Sequence, residues 1–133
     1  MAIDYSFAAD GDLLVVRASG VDESPDEVEA YGMAVIEAAV TNASHRVLCL
    51  EGALEYRLGT LDTYRVGSSI AERAPRVARV AVVCAPASLG DARFWEDVTS
   101  NRGLRAAVFT DEAEARRWLD ADRGAVPPER GGS

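Results

Sequence analysis

The stretch VARVAVVC at residues 77–84 limits the fold more than any other part of the sequence. A strand covered on one face alternates apolar and polar residues, whereas one covered on both faces reads as a nearly unbroken apolar run like this one. The run is far shorter than the roughly 20 residues a membrane span requires. It therefore predicts a central strand of a parallel sheet with packing on both sides. A parallel neighbour is reached only through a crossover, usually a helix, so helices should alternate with strands around it.

They do. RVLCL at 46–50 is a second short apolar run, and LRAAVF at 104–109 a third. Pro86 and Ser88 open a helix over 89–100 with Phe94, Trp95 and Val98 inward, and Gly103 suits the left-handed residue that closes a helix end. Thr110 is the expected cap of a last helix over 111–119, with acids early and arginines late, as the helix dipole favours. Trp118 and Leu119 should pack onto the sheet.

At the N-terminal end, Ile3, Tyr5 and Phe7 alternate with polar residues, the pattern of a half-buried strand. Asp10-Gly11 signals a hairpin, and Leu13–Ala18 reads as the antiparallel second strand. Ser24, Pro25 and Glu27 form the sequence of a capping box with proline in the first turn. They start a helix to about Val40 on an apolar stripe of Val28, Tyr31, Val35, Ile36 and Ala39. Residues 51–59 read as irregular, and Thr60 or Asp62 as the cap of a helix that ends before Pro75. The order is β-β-α-β-α-β-α-β-α, a single-domain α/β fold with a five-stranded mixed sheet backed by helices. The domain is expected over 1–121, with a disordered tail over 122–133.

Composition narrows the function. With 133 residues and 48% hydrophobic content, one core can form without disulfides or metal. The net charge of −8 opposes a nucleic-acid backbone. Arg73, Arg76 and Arg79 are the nearest approach to a basic cluster, and they suit a helix C-terminus and a strand entry. All 14 basic residues are arginine, which is read as coding bias. Cys49 and Cys84 each follow apolar residues, have no metal-site spacing and are expected to be free core thiols. No signal peptide or membrane span is evident, so a cytoplasmic location is expected.

The element order and three segments, RVLCL at 46–50, VARVAVVC at 77–84 and above all NRGLRAAVFTDEAEARRWL at 101–119, resemble the SpoIIAA-like branch of the STAS superfamily, also labelled STAS/SEC14-like. The ending with Asn-Arg-Gly is also similar to the bacterial DUF4180 domains of unknown function. The STAS resemblance implies a regulatory module that docks other proteins, in some members switched by phosphorylation at the start of the helix after the third strand. Here that place is LGTLDT at 58–63. Thr60 and Thr63 are its hydroxyls, and the Asp-Ser dipeptide of the phosphorylated antagonists is absent.

No complete catalytic, metal or nucleotide motif occurs, so no catalytic residue, metal or cofactor is expected. His45 precedes its strand while Cys84 ends one, placing them roughly 15 Å apart at about 3.3 Å per residue. Glu51, Glu55, Glu96 and Asp97 have no ligand spacing and read as solvated. The region 51–70 carries more large apolar groups than one narrow stripe needs. Leu54, Tyr56, Leu58, Thr60, Thr63 and Tyr64 are the candidate interaction or pocket surface. The expected role is a non-enzymatic regulatory module with a regulatory protein partner or a second copy as homodimer. The alternative is a carrier of a small apolar molecule or lipid under residues 51–70.

Overall fold

The computed structural model describes residues 3–74 and 79–124. Strands β1 (Ile3–Asp10) and β2 (Leu13–Asp22) precede helix α1 (Pro25–Thr41). Strand β3 (Arg46–Tyr56), helix α2 (Thr60–Arg73), strand β4 (Arg79–Cys84), helix α3 (Leu89–Asn101), strand β5 (Arg105–Phe109) and helix α4 (Glu112–Gly124) follow. The five strands form one sheet in the order β1-β2-β3-β4-β5; β1 runs antiparallel to β2, and every later pair is parallel. This is the mixed α/β sheet that the sequence predicts. Residues 75–78, including Pro75, Arg76 and the first two residues of the long apolar run, lie outside the described residues, as does the expected tail from 125 onward. Helix α4 extends three residues past the expected domain end.

The strand order explains the layers. Right-handed crossovers that always step in the same direction across a sheet place their helices on one face, so α1, α2 and α3 pack side by side. Helix α4 follows the last strand and makes no crossover, and it covers the opposite face. Its Ala115 and Leu119 pack with Leu13, Val15, Leu48 and Ala81, and the Arg79 guanidinium lies 3.9 Å from the Trp118 ring centre. Because the strand order never reverses, the sheet lacks the switch-point crevice where doubly wound sheets hold nucleotides.

The hairpin turns through Gly11 at φ +62°, and Gly103 closes α3 at φ +95°. Ser24 caps α1, its Oγ accepting from the Glu27 amide at 3.3 Å. The other half of the capping box does not form. Glu27 instead accepts from the Ile3 amide at 3.0 Å, fastening β1 to α1.

Several local expectations need correction. Tyr5 and Phe7 are not half-buried along β1 but exposed, although the Tyr5 ring stands 5.2 Å from that of Tyr31 on α1, and only Ile3 of this edge strand is buried. The residue before α2 is Gly59, with no side-chain cap, and Thr60 is already helical. For α4, Asp111 rather than Thr110 accepts from an amide of the first turn, that of Ala113. The largest correction concerns residues 51–59, which are mostly strand. Strand β3 continues to Tyr56, pairing Ala53–Tyr56 with Ser19–Asp22.

That continuation contains a β-bulge. Arg17 pairs with Leu50 and Ser19 with Ala53, so Glu51 and Gly52 together oppose Ala18 alone. Side chains alternate faces along a strand, and one extra residue reverses the alternation beyond it. Val47, Cys49 and Glu51 face the three-helix layer before the bulge, and Leu54 and Tyr56 face it afterwards.

Candidate functional site

The bulge brings Glu51, Leu54 and Tyr56 to one wall of a cavity of about 140 Å³ between the sheet and α1–α3. Part of its lining lies at the C-terminal ends of the parallel strands. Asp22 ends β2 there, Leu58 and Thr63 come from the entry to α2, and Asp91 comes from the first turn of α3. Most of the remaining wall is apolar, with Val28, Val35, Val66, Val82 and Trp95 among its residues. Close helix packing shapes it. A Cβ on Gly32 would stand 2.4 Å from the Ile70 side chain, and one on Gly67 would stand 3.2 Å from Val98. Glycine at these positions lets α2 approach α1 and α3.

Glu51 is the chemical centre of the wall. Only 8% of its surface is exposed. Tyr31 Oη donates to its Oε2 at 2.7 Å, and Tyr56 Oη donates to its Oε1 at 2.5 Å. Burial pushes the Glu51 carboxyl above the ordinary range, while the two phenol hydrogen bonds pull it back. The phenols are themselves pushed well up, by burial first and then by the neighbouring carboxylate. Asp22 is pushed up to about 6, chiefly by burial, against the hydrogen bond from the Arg57 amide and with the charges of Glu51 and Asp91 adding to the rise.

Glu51 was expected to be solvated and is instead buried. The other carboxylates have plain structural roles: Glu55 pairs with Arg57 at 2.9 Å, and Glu96 accepts from the Val108 amide of β5 at 3.2 Å. Cys49 and Cys84 are free and buried, and burial raises both thiols away from the thiolate. His45 lies just before β3, while Cys84 pairs with Glu51 at the other end of the sheet, so thiol and imidazole are kept apart.

Of the six residues selected from sequence, Leu54, Tyr56, Leu58 and Thr63 line the cavity. Thr60 and Tyr64 do not. Thr60 is exposed, and Tyr64, 45% exposed, accepts a hydrogen bond from Arg102 at 2.9 Å. Leu61 beside them is 59% exposed. Sequence reasoning missed Tyr31, Glu51, Asp22 and Asp91 as members of one site. The available signal was local: polar Glu51 directly follows an apolar strand and is in turn followed by Gly52, as at a bulge.

The chain matches no family model and no curated protein sequence. Its structure is similar to that of an anti-sigma factor antagonist from Mycobacterium paratuberculosis, with a TM-score of 0.63 and 15% identity over 89% of this chain and 94% of that one. Nothing in these comparisons supports the likeness to DUF4180. The chain has the STAS/SpoIIAA-like fold.

Proposed function

We propose that the protein is a non-enzymatic regulatory module that docks a regulatory protein through the N-terminal half of α2. One observation carries this reading: Leu61 and Tyr64 stand exposed on the first two turns of that helix, with Thr60 beside them. Large apolar groups clustered at a surface are characteristic of docking sites. The fold, shared with a protein named as an antagonist of an anti-sigma factor, makes a partner of that regulatory class the first to try. Buried thiols with raised pKa and a distant histidine argue against nucleophilic catalysis. A cavity of about 140 Å³ falls below the roughly 300–1,000 Å³ of ordinary ligand pockets, so it is too small for a lipid chain. The docking reading is therefore preferred to the lipid carrier.

Calorimetry with an anti-sigma factor from the same genome tests the surface. Binding should weaken about tenfold or more in Leu61→Ser and Tyr64→Ser, as for buried contact residues. Absence of a complex, or a complex indifferent to both substitutions, would refute it. Light scattering on the same samples identifies the self-associating case: a dimer that both substitutions dissociate assigns the face to a second copy.

A further inference from the structure

Inside the cavity, Glu51 is a buried carboxylate without a cation. Both oxygens accept from neutral hydroxyls, and the other charged groups on the lining, Asp22 and Asp91, are also acids. Among the described residues, no arginine or histidine lines the space. Buried charge is ordinarily paired with opposite charge. A carboxylate offers about four acceptor positions, so Glu51 can still receive a donor after both phenol bonds. The N-termini of α2 and α3 do not reverse the sign, because Asp62 and Asp91 already occupy their first turns.

The space is compact as well as acidic. A cavity near 150 Å³ with an apolar lining holds a molecule the size of benzene, which is the scale of this one. Its apolar wall has Trp95 along it, and aromatic rings favour cations.

We propose that this cavity binds a small primary amine with a compact single-ring apolar body, the ring against Val66, Val82 and Trp95 and the ammonium toward Glu51 and Asp22. An ammonium brings three donors and the missing charge. Fatty acids and other anions are excluded by sign, and long chains by volume. Amine binding here is independent of docking at α2, and Leu61→Ser, which weakens docking, leaves it intact.

The test is titration with benzylamine, benzyl alcohol and benzoate, followed by Trp95 fluorescence in a Trp118→Phe background and by amide chemical shifts. Benzylamine should saturate in the millimolar range or below and bind at least about tenfold tighter than benzyl alcohol, with no saturation by benzoate. Glu51→Gln should abolish the preference for the amine over the alcohol. Asp22→Asn, which retains the oxygen that accepts from Arg57, should reduce the preference about threefold and serves if Glu51→Gln loses its native circular dichroism. Equal affinity for amine and alcohol, saturation by benzoate, no saturation by benzylamine, or a preference that survives the substitution in the folded variant would overturn the assignment.

Discussion

Strand β3 carries a buried charge near each end of its parallel pairing, and the two ends treat that charge oppositely. At the start, Arg46 is 7% exposed and meets two carboxylates, Asp12 and Asp120, each at 2.9 Å. This pairing ties the hairpin and α4 to the sheet and sets opposite charge beside the buried guanidinium. Farther along, Glu51 is 8% exposed and meets only phenol hydroxyls, with two more acids lining the same cavity. One end is closed by opposite charge; the other has an acidic cavity beside it. The contrast teaches that burial alone does not identify a functional charge. What distinguishes Glu51 is missing compensation next to empty volume.

Three substitutions break or sharpen the contrast. The largest effect is expected at the closed end. Arg46→Met keeps the apolar stem but strips two carboxylates of their cation, and should cost about 2 kcal/mol in urea denaturation, less than for a fully buried pair because both acids are partly exposed. A loss below about 0.5 kcal/mol would show that the pairing contributes little. At the other end, Tyr31→Phe removes one donor from Glu51. It should cost about 1–2 kcal/mol at pH 8 and less at pH 5, because the lost bond matters most to the ionised carboxylate. A cost independent of pH would mean that Glu51 does not change its protonation between the two pH values.

The smallest effect has the opposite sign. The folded Asp22 carboxyl titrates at about 6 against an ordinary 3.8, so the folded chain holds this proton more tightly than the unfolded one. Its contribution to stability is complete below about pH 3.8 and is lost as pH rises through 6. Asp22→Asn should therefore stabilise the protein at pH 7.5 by about 1 kcal/mol, after allowance for partial exposure, and by nothing near pH 4. Equal effects at both pH values would show that burial does not penalise the charge.

The element order and the cavity were unequally legible in the sequence. Apolar runs, glycine turns and caps carried the element order, because each reflects a local rule: two-faced burial for residues 79–84, positive φ at Gly11 and Gly103, a hydroxyl acceptor at Ser24. The cavity depended on a phase slip that period-based reading treats as noise. Across EGALEY at 51–56 the alternation breaks, and a broken alternation reads as loop until the partner strand shows two residues facing one. Asp22 and Asp91 approach Glu51 only through pairing and crossover, and no spacing within the chain encodes that meeting. Leu54, Tyr56 and Leu58 were reached from sequence because excess apolar bulk is visible without register, and Thr63 because the resemblance marks the hydroxyls at the start of the helix after the third strand.

The bulge at Glu51 and Gly52 also bears on how such a site arises. A bulge lets one strand carry a residue more than its partner while the pairs beyond it, and the faces their side chains take, stay as they are. Removing Gly52 would leave Glu51 alone opposite Ala18 and restore strict alternation, with Leu54 and Tyr56 still opposite Gly20 and Asp22 and still facing the helices. Among relatives of this architecture, a one-residue difference in length at this position should therefore leave the inward-facing set intact and alter only the local bend of the strand.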